Sequence, residues 1–574
     1  MVSEGFEEVK IGLEIHQQLN TNKLFCSCSS EMNEKNLIYE VRRRLRPVVS
    51  ELGEFDRAAI FEFFRNREFV YRGYENECCL VDLDEEPPHE INNEALQIAL
   101  QMAYNLNLYI PDELHIMRKL VLDGSAITSF QRTMLVGIGP VNFEGIKIKS
   151  LCLEEDAAKL EKEEKNLIYY SLSRLGVPLI EISTEPIIAS AEEAKEIAKN
   201  IGLFLRSFNV KRGIGSIRQD VNISICKGAR VEIKGWQELR MLNKLIENEV
   251  ERQKRLLEIK DIAKKIEKNI IVKKDENSFI IILPNFKEIA AQKISGNKKL
   301  KDEIAEYGKV YYADVLTNLD ENIEESIFEK FDIGSKDFAL LISGKNFEKA
   351  YEEILKRIKL LSIGVLEETR KPNEDATTSY SRPLPGAARM YPETDLLPII
   401  PRKKLKKIKT LNEKKKELEK ILSKDLVEQI ITTKYLNIME KVSRGDENIL
   451  KIAAVTFTST LKELKRKGLN IENISEDTYE RIFDLLKKEE ISKKSIPEIL
   501  ERIIKGERFE EIIKDYKIIS KEELKRIIKD VIEKYENREF NKIVSEVMRI
   551  VGKKAEGNVV IEEIRKILGE IKND

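Results

Sequence analysis

Alternation of apolar and polar positions marks the first regular element of the chain. In VKIGLEIHQQL, Val9, Ile11, Leu13 and Ile15 are apolar, Lys10, Glu14, His16 and Gln18 are polar, and Gly12 falls between them. Successive strand side chains point to opposite faces, so this segment predicts a strand with one buried and one wet face. IRQDVNISI repeats the pattern: Ile217, Val221, Ile223 and Ile225 share one face, and Arg218, Asp220, Asn222 and Ser224 share the other. Lys227-Gly228 supplies a tight turn. ARVEIKG then returns with Val231 and Ile233 on the apolar face and Arg230, Glu232 and Lys234 on the polar one. Together these segments predict a hairpin with a dry face and a charged face of mixed sign.

The period changes after Trp236, where a helical stretch runs to about Lys268. Over 269–364, short strands (NIIVKK, SFIIIL) alternate with amphipathic helices (IEESIFEKF, FEKAYEEILKRIKLL), the texture of a small α+β module. The next segment, ETRKPNEDATTSYSRPLPGAARMYPETDLLP, is irregular and rich in Pro, Gly, Arg and acids, which predicts a long functional loop. After Pro401 the periodicity is helical to the end. Of 15 prolines only Pro401 and Pro497 lie in that region, as expected where helices must not break. A chain of 574 residues predicts three or four domains. The expected fold class is a multidomain α+β protein with four parts. A mostly antiparallel sheet domain covers 1–268 plus 365–400, and an α+β insertion covers 269–364. A helical domain covers 401–510, and an all-helical C-terminal tail covers 511–574, its boundary placed by Gly506 and a change in helix spacing.

Hydrophobic residues at 42% suffice for real cores, and 35% charged residues of mixed sign argue against a disordered tail. The net charge of −2, from 99 Lys+Arg and 101 Asp+Glu, excludes a uniformly basic coat. The charge is uneven, however. Residues 401–574 hold 42 basic against 34 acidic residues, a net of +8, and 1–400 hold 57 against 67, a net of −10. A basic helical region can hold an RNA backbone; Lys and Glu solvating helix faces explain the same counts. The start, MVSEGFEEVKIG, lacks the apolar core of a secretory signal, and runs such as FIIIL fall far below the ~20 residues that span a bilayer. A cytoplasmic location without membrane association is expected, and six cysteines fit a reducing compartment.

Three places could carry chemistry. Glu14 and His16, one of only three histidines, share a strand face; LCLEEDAAKL presents Glu154, Glu155 and Asp156 at a strand end; LIEISTEP places Glu181, Ser183 and Glu185 on one side. Carboxylates converging with one imidazole suit Mg²⁺ and phosphate oxygens, whereas an antiparallel sheet can also keep one face merely wet. On the hairpin, Arg218, Arg230 and Lys234 interleave with Asp220 and Glu232, a surface for a polyphosphate and its metal or for cross-strand ion pairs. Cys26, Cys28, Cys78 and Cys79 could hold Zn²⁺, although neither pair has the usual zinc spacing and small buried side chains are the alternative. Cys152 and Cys226 sit in strand-like runs and are expected in the core. GxxxxGK[ST] and GxSxG are absent, and GIGSIR has too few glycines for a dinucleotide turn. ATP would therefore be held by a less familiar fold, and amide hydrolysis would fall to another chain.

KIGLEIHQQLNTNKLFCSCSS, KSLCLEEDAAKL, SRLGVPLIEISTEP, GIGSIRQDVNISICKGARVEIKGWQEL and RPLPGAARMYPETDLLP together resemble the GatB/GatE subunits of tRNA-dependent amidotransferases, over essentially the whole chain. LVDLDEEPPHEINNEAL and MRKLVLDGSAITSFQRTMLV look like the archaeal GatE branch. So does the insertion at 269–364, similar to one found in bacterial-type aspartyl-tRNA synthetases. The resemblance implies ATP-dependent conversion of Glu-tRNA(Gln) to Gln-tRNA(Gln) through a γ-phosphoryl-glutamyl intermediate. It further implies ammonia from GatD, an asparaginase-like glutaminase, within a hetero-oligomer, with tRNA(Gln) gripped mainly by the helical tail. The implied cofactors are ATP, Mg²⁺ and a structural Zn²⁺. Metal and phosphoryl-transfer positions fall by resemblance on Glu14, His16, Glu155 and Glu181; strand parity favours Glu154 where motif alignment favours Glu155. Arg218, Asp220, Arg230, Glu232, Lys234 and Arg389 become nucleotide- or substrate-binding groups, and Arg370, Arg382, Arg389, Glu393 and Asp395 belong to a loop that completes the cradle. The alternatives are a GatB-like subunit that acts with an amidase on Asp-tRNA(Asn) as well, and a non-catalytic tRNA-binding scaffold.

Overall fold

The structure, a computed structural model, describes residues 8–225, 228–320, 331–401, 405–534, 539–552, 554–555 and 557–573. Cys226, the Lys227 half of the expected turn, and the helix expected over IEESIFEKF (Phe331 apart) fall outside these residues. Two compact units divide the chain, Met1–Ile408 and Lys409–Asp574.

An 11-stranded sheet organises the first unit. Val9–Gln18 lies inside it, antiparallel to Ile217–Ile225 on one side and Pro178–Thr184 on the other. Beyond Ile217–Ile225 come Val231–Trp236, then Glu368–Pro372 in parallel and Thr378–Pro383 at the edge. In the other direction follow Ile146–Glu155, Phe130–Phe143, Ile116–Leu120 and Met390–Pro392. The expected alternation is realised. Ile11, Leu13, Ile15, Val221 and Ile223 are buried in one cluster with Leu100, Ala198 and Leu245. Those three belong to the helices Asn93–Leu106, Ala191–Leu205 and Leu242–Ile266. Full burial of each aliphatic side chain contributes ~1.5–3 kcal/mol. The opposite face is left to Glu14, His16, Arg218 and Asp220.

Two of those helices lie in a region whose alternation suggested only strands, yet both carry local start signals. The Asn92 side chain accepts from Ala95 N, and Ser190 forms a capping box with Glu193. The segment expected as one loop over 368–398 is partly sheet, because Glu368–Pro372 and Thr378–Pro383 pair as a hairpin and Met390–Pro392 pairs with Ile116–Leu120. Pro372, Pro383 and Pro392 each close a strand, where a missing N–H is tolerated.

The insertion is the expected α+β module. Ile271–Asp275, Ser278–Leu283, Phe338–Gly344 and Ala313–Thr317 form an antiparallel sheet beside the helices Leu300–Lys309 and Phe347–Leu360. Its core is continuous with that of the main sheet, since Leu283, Ile304 and Leu340 belong to the same apolar cluster as Ile11. A buried ion network crosses the same junction. Arg252 of the long helix pairs with Glu249 at 3.0 Å, Glu303 at 2.7 Å and Glu368 at 3.2 Å. Arg370 pairs with Glu303 at 2.8 Å and Glu368 at 2.6 Å, and Arg357 and Lys298 lie 3.5 and 3.4 Å from Glu303. Arg370, expected on a loop completing the cradle, is thus locked in the interior, because its strand carries it under the insertion.

In the second unit the regular elements among the described residues are helices. Those from Leu411–Leu418 to Phe509–Tyr516 bury Val427, Met439, Ala453, Phe457 and Phe483. Lys521–Lys534, Phe540–Val551 and Gly557–Asn573 share a separate cluster built on Leu524, Ile528, Val547, Val560 and Ile564.

Glu303 is wholly buried, and although burial alone would raise its pKa, the surrounding Arg370, Arg252, Lys298 and Arg357 hold it well below the usual carboxylate range. Removing one partner of a buried ion pair costs ~3–5 kcal/mol. Glu303→Gln is therefore expected to lower the stability of the full chain by about that amount in urea denaturation; a loss below ~1 kcal/mol would contradict the network's role.

Candidate active site and a thiol cluster

Strand register assembles the site. His16 lies opposite Glu181 on one neighbouring strand and opposite Arg218 on the other, and Glu14 lies opposite Ser183 and Asp220. On the next strand Cys152 opposes Glu181, so Glu154, two residues on, emerges on the same face. These side chains wall a cavity of about 350 Å³ that Lys119, Gln131, Lys234, Arg382 and Arg389 also line.

Two groups of donors meet at that wall, all of them lining it except Glu232. His16, Glu154 and Glu181 each offer one ligand atom, all within 4.8 Å of one another, and Glu14, Asp220 and Glu232 form a second such group. His16 Nε2 is 3.2 Å from Glu181 Oε2, and Ser183 Oγ donates to the other oxygen of Glu181 at 3.1 Å. Glu154 accepts from Thr133 Oγ1 at 2.6 Å, Lys119 Nζ at 2.8 Å and Gln131 Nε2 at 3.1 Å. The structure therefore groups Glu154, and not Glu155, with His16 and Glu181, as parity requires. Glu155 lines the same cavity, but its Oε2 accepts from the Arg132 backbone N–H at 3.1 Å, with the Arg132 guanidinium 3.5 Å away. Glu14 likewise belongs to the Asp220 group and not to the His16 group.

The expected nucleotide-facing residues separate into committed and open ones. Lys234 bridges Asp220 at 2.8 Å and Glu232 at 2.9 Å. Arg218 lines the cavity but grips buried Asp156 with both terminal nitrogens, at 2.7 and 3.2 Å. Arg382 reaches Asp123 at 3.2 Å. Arg230 is exposed and does not line the cavity. Glu393 is buried against Arg132 at 2.8 Å, and Asp395 is exposed, its N–H bonded to Glu393. Arg389 reaches the cavity with no ion pair among the described residues. Sequence reasoning missed Lys119, Gln131 and Thr133. Register brings them there, Lys119 opposite Gln131 and Thr133 opposite Glu154 across neighbouring strands, and the local sequence pattern does not contain that pairing.

The electrostatics express a shortage of positive charge. Burial raises the Glu14 pKa, and Glu181, Asp220 and Glu232 add to the rise with only Lys234 opposing. Burial disfavours the imidazolium of His16, but the Glu181 hydrogen bond and the charges of Asp220, Glu181 and Glu154 outweigh it and push its pKa up to about 9. Asp220, buried, is held down at about 2, chiefly by Lys234 and His16. Four carboxylates (Glu14, Glu154, Glu181 and Asp220) and one imidazole on that wall, with Glu232 grouped beside Glu14 and Asp220, form a hard-oxygen donor set with one nitrogen, which suits Mg²⁺.

A second cluster joins Cys26, Cys28, Cys79 and Asp82. Cys78, expected as the fourth thiol, is buried in the apolar cluster of a small separate sheet, beside which the Tyr39 hydroxyl donates to the Cys79 carbonyl at 3.4 Å. Cys78 is not among the donors that lie within 4.8 Å of one another. Asp82 takes its place, accepting from Cys79 N–H and Lys23 Nζ, each at 3.0 Å. Burial raises the Asp82 carboxyl to about 6 against the opposing pull of Lys23. Three thiols and a carboxylate suit Zn²⁺.

Residues 9–407 match the family model of the GatB/GatE catalytic domain, and 437–568 match that of the GatB domain. Among similar curated proteins, three are named as the E subunit of glutamyl-tRNA(Gln) amidotransferase. The one from Methanococcus maripaludis is 37% identical, over 98% of each chain. That from Sulfolobus acidocaldarius is 40% identical over 97% of each, and that from Archaeoglobus fulgidus 39% over 98% of each.

Elemental analysis of the chain purified without chelator should return about one zinc per molecule, and Cys26→Ser should lose it. A zinc-free wild type would refute the thiol site.

Proposed function

This chain belongs to the GatB/GatE family, on its archaeal GatE branch, and from that premise we propose that it converts glutamate mis-attached to tRNA(Gln) into glutamine. The observation that carries the reading is the convergence of His16, Glu154 and Glu181 with Glu14 and Asp220 on one cavity wall, Glu232 standing within ligand reach of the last two. A carboxylate oxygen is a poor leaving group. The glutamyl side chain attacks the γ-phosphorus of ATP, ADP departs, and the acyl phosphate formed carries a good leaving group. Ammonia then adds to the carbonyl, phosphate leaves and a proton is lost, giving the amide. His16, Glu154 and Glu181 would hold one magnesium ion and Glu14, Asp220 and Glu232 could take a second. Bound there, magnesium supplies charge neutralisation for the phosphates.

The chain's own residues do the positioning. Lys119, Thr133 and Gln131 fix the Glu154 carboxylate, and Ser183 fixes Glu181. Lys234 holds Asp220 and Glu232 apart from direct repulsion. Arg389, without an ion pair among the described residues, is the group best placed to take a nucleotide phosphate. Enclosure of the cavity keeps water from the acyl phosphate. The ammonia source is a glutaminase partner of the GatD kind, which agrees with the lack of amidase motifs in this chain. The basic helical unit grips the tRNA through phosphate contacts.

In an assay with Glu-tRNA(Gln), ATP and ammonium chloride, the full chain should form Gln-tRNA(Gln) unaided. His16→Ala and Glu154→Gln should each lower turnover ~10²–10³-fold with tRNA affinity nearly intact. Equal losses of affinity and turnover would make these residues structural, and a wild type forming no product would favour a scaffold. Affinity for tRNA should fall steeply with salt. Lys424, Lys451, Arg466 and Lys493 are exposed and without ion pairs among the described residues. Neutralising each that meets a phosphate should reduce the salt slope by about one; an unchanged slope for all four would contradict the tail's role.

A further inference from the structure

A second cavity lies in the same unit, lined by none of the acidic wall. Its volume is about 710 Å³, roughly twice that of the candidate active site and within the range of small-molecule sites. The helix Arg57–Phe64 forms one side, the insertion helices Leu300–Lys309 and Phe347–Leu360 another, and the edge strand Thr378–Pro383 a third.

Its floor is aromatic. Tyr307 and Tyr380 stack with centroids 3.9 Å apart, and Phe61 meets Tyr311 and Tyr380 edge-on at 5.3 and 5.9 Å. Tyr311 and Tyr380 are only 2% and 6% exposed, yet neither hydroxyl has a hydrogen-bond partner among the described residues. Arg357, 1% exposed and also lining the cavity, leaves its Nε unpartnered. A buried polar atom without a partner is uncommon and costly, so the Arg357 Nε, beside two tyrosine hydroxyls that make no hydrogen bond among the described residues, leaves donors open to a ligand.

The mouth has a different chemistry. Phe55 and Phe64 are each 47% exposed, and Lys349 Nζ sits 4.8 Å from the Phe64 ring. Arg57 has no ion pair among the described residues, and Lys356 is only loosely paired, 3.9 Å from Glu353. A purely apolar ligand would leave these cations and the Arg357 Nε unused. A simple anion would leave the rings unused. A planar ring system joined to a phosphate uses both.

We propose that this cavity binds a nucleotide, its base against the exposed rings, its N–H groups donating to Glu353 or Glu367, and its phosphate on Arg57 and Lys356. Stacking on exposed aromatics with cations beside them is how single-stranded nucleic acid is held. A free mononucleotide and an unpaired nucleotide of a bound RNA share this chemistry.

The test uses the full chain, with AMP and a single-stranded hexa-adenylate RNA as probes in equilibrium titrations. The double variant Phe64→Ala/Arg57→Glu, both positions being exposed, should weaken binding roughly tenfold or more, while His16→Ala, in the acidic cavity, should leave it unchanged. Weakening of AMP binding identifies a free nucleotide as the occupant; weakening confined to the RNA identifies an RNA nucleotide. No binding of either probe, binding indifferent to the double variant, or equal loss in His16→Ala overturns the proposal. Ammonia-dependent formation of Gln-tRNA(Gln) at saturating ATP should be unaltered in the double variant, so failure here and failure of the acidic-site reading are seen separately.

Discussion

Register in an antiparallel sheet is unforgiving: a slip of one residue moves every side chain to the opposite face. Val9–Gln18 lies between two antiparallel neighbours, and its apolar positions are locked under three helices. That burial sets the register, and the register in turn sets His16 beside Glu181 and Arg218, and Glu14 beside Asp220 and Ser183. The chemistry of the wet face is therefore held by the packing of the dry one. Rigid strands are a more accurate platform for converging charges than loops.

The first unit treats its interior charges in two ways. Around Glu303 the charges balance, with Arg252, Arg357, Arg370 and Lys298 meeting Glu249, Glu303, Glu306 and Glu368. Such a balanced network joins the insertion to the sheet, and only the Arg357 Nε at its rim is left without a partner. Around Glu14 and His16, by contrast, carboxylates crowd locally with Lys234 as the cation facing Glu14, and the raised pKa values of Glu14 and His16 record that excess. An unbalanced anionic wall is the arrangement a divalent cation would complete.

Much of this was legible in the alternation of apolar and polar residues. The central strand, the hairpin, the helical second unit and the α+β insertion all follow from it, whereas the metal position was assigned by resemblance to Glu155 although parity favoured Glu154, the residue that groups with His16 and Glu181. Lys119 and Gln131 escaped because a charged residue on a short strand looks the same whether it faces solvent or a cavity. The hairpin at Glu368–Pro383 was hidden by prolines that turned out to close strands. Asp82 could not be read as a companion of the thiols, because the neighbouring Cys78 offered a simpler fourth ligand, and only the fold shows it packed in an apolar cluster instead. The common core of insertion and sheet depends on contacts between residues hundreds of positions apart, which no local period contains.

The central claim is that the His16 face is a metal-assisted phosphoryl-transfer site. Anomalous diffraction from crystals of the full chain grown with Mn²⁺ and a non-hydrolysable ATP analogue tests it most directly. The account requires a manganese peak at bonding distance from His16, Glu154 and Glu181, bridged to the analogue's phosphates. Metal and nucleotide found together elsewhere, with that wall empty, would contradict it.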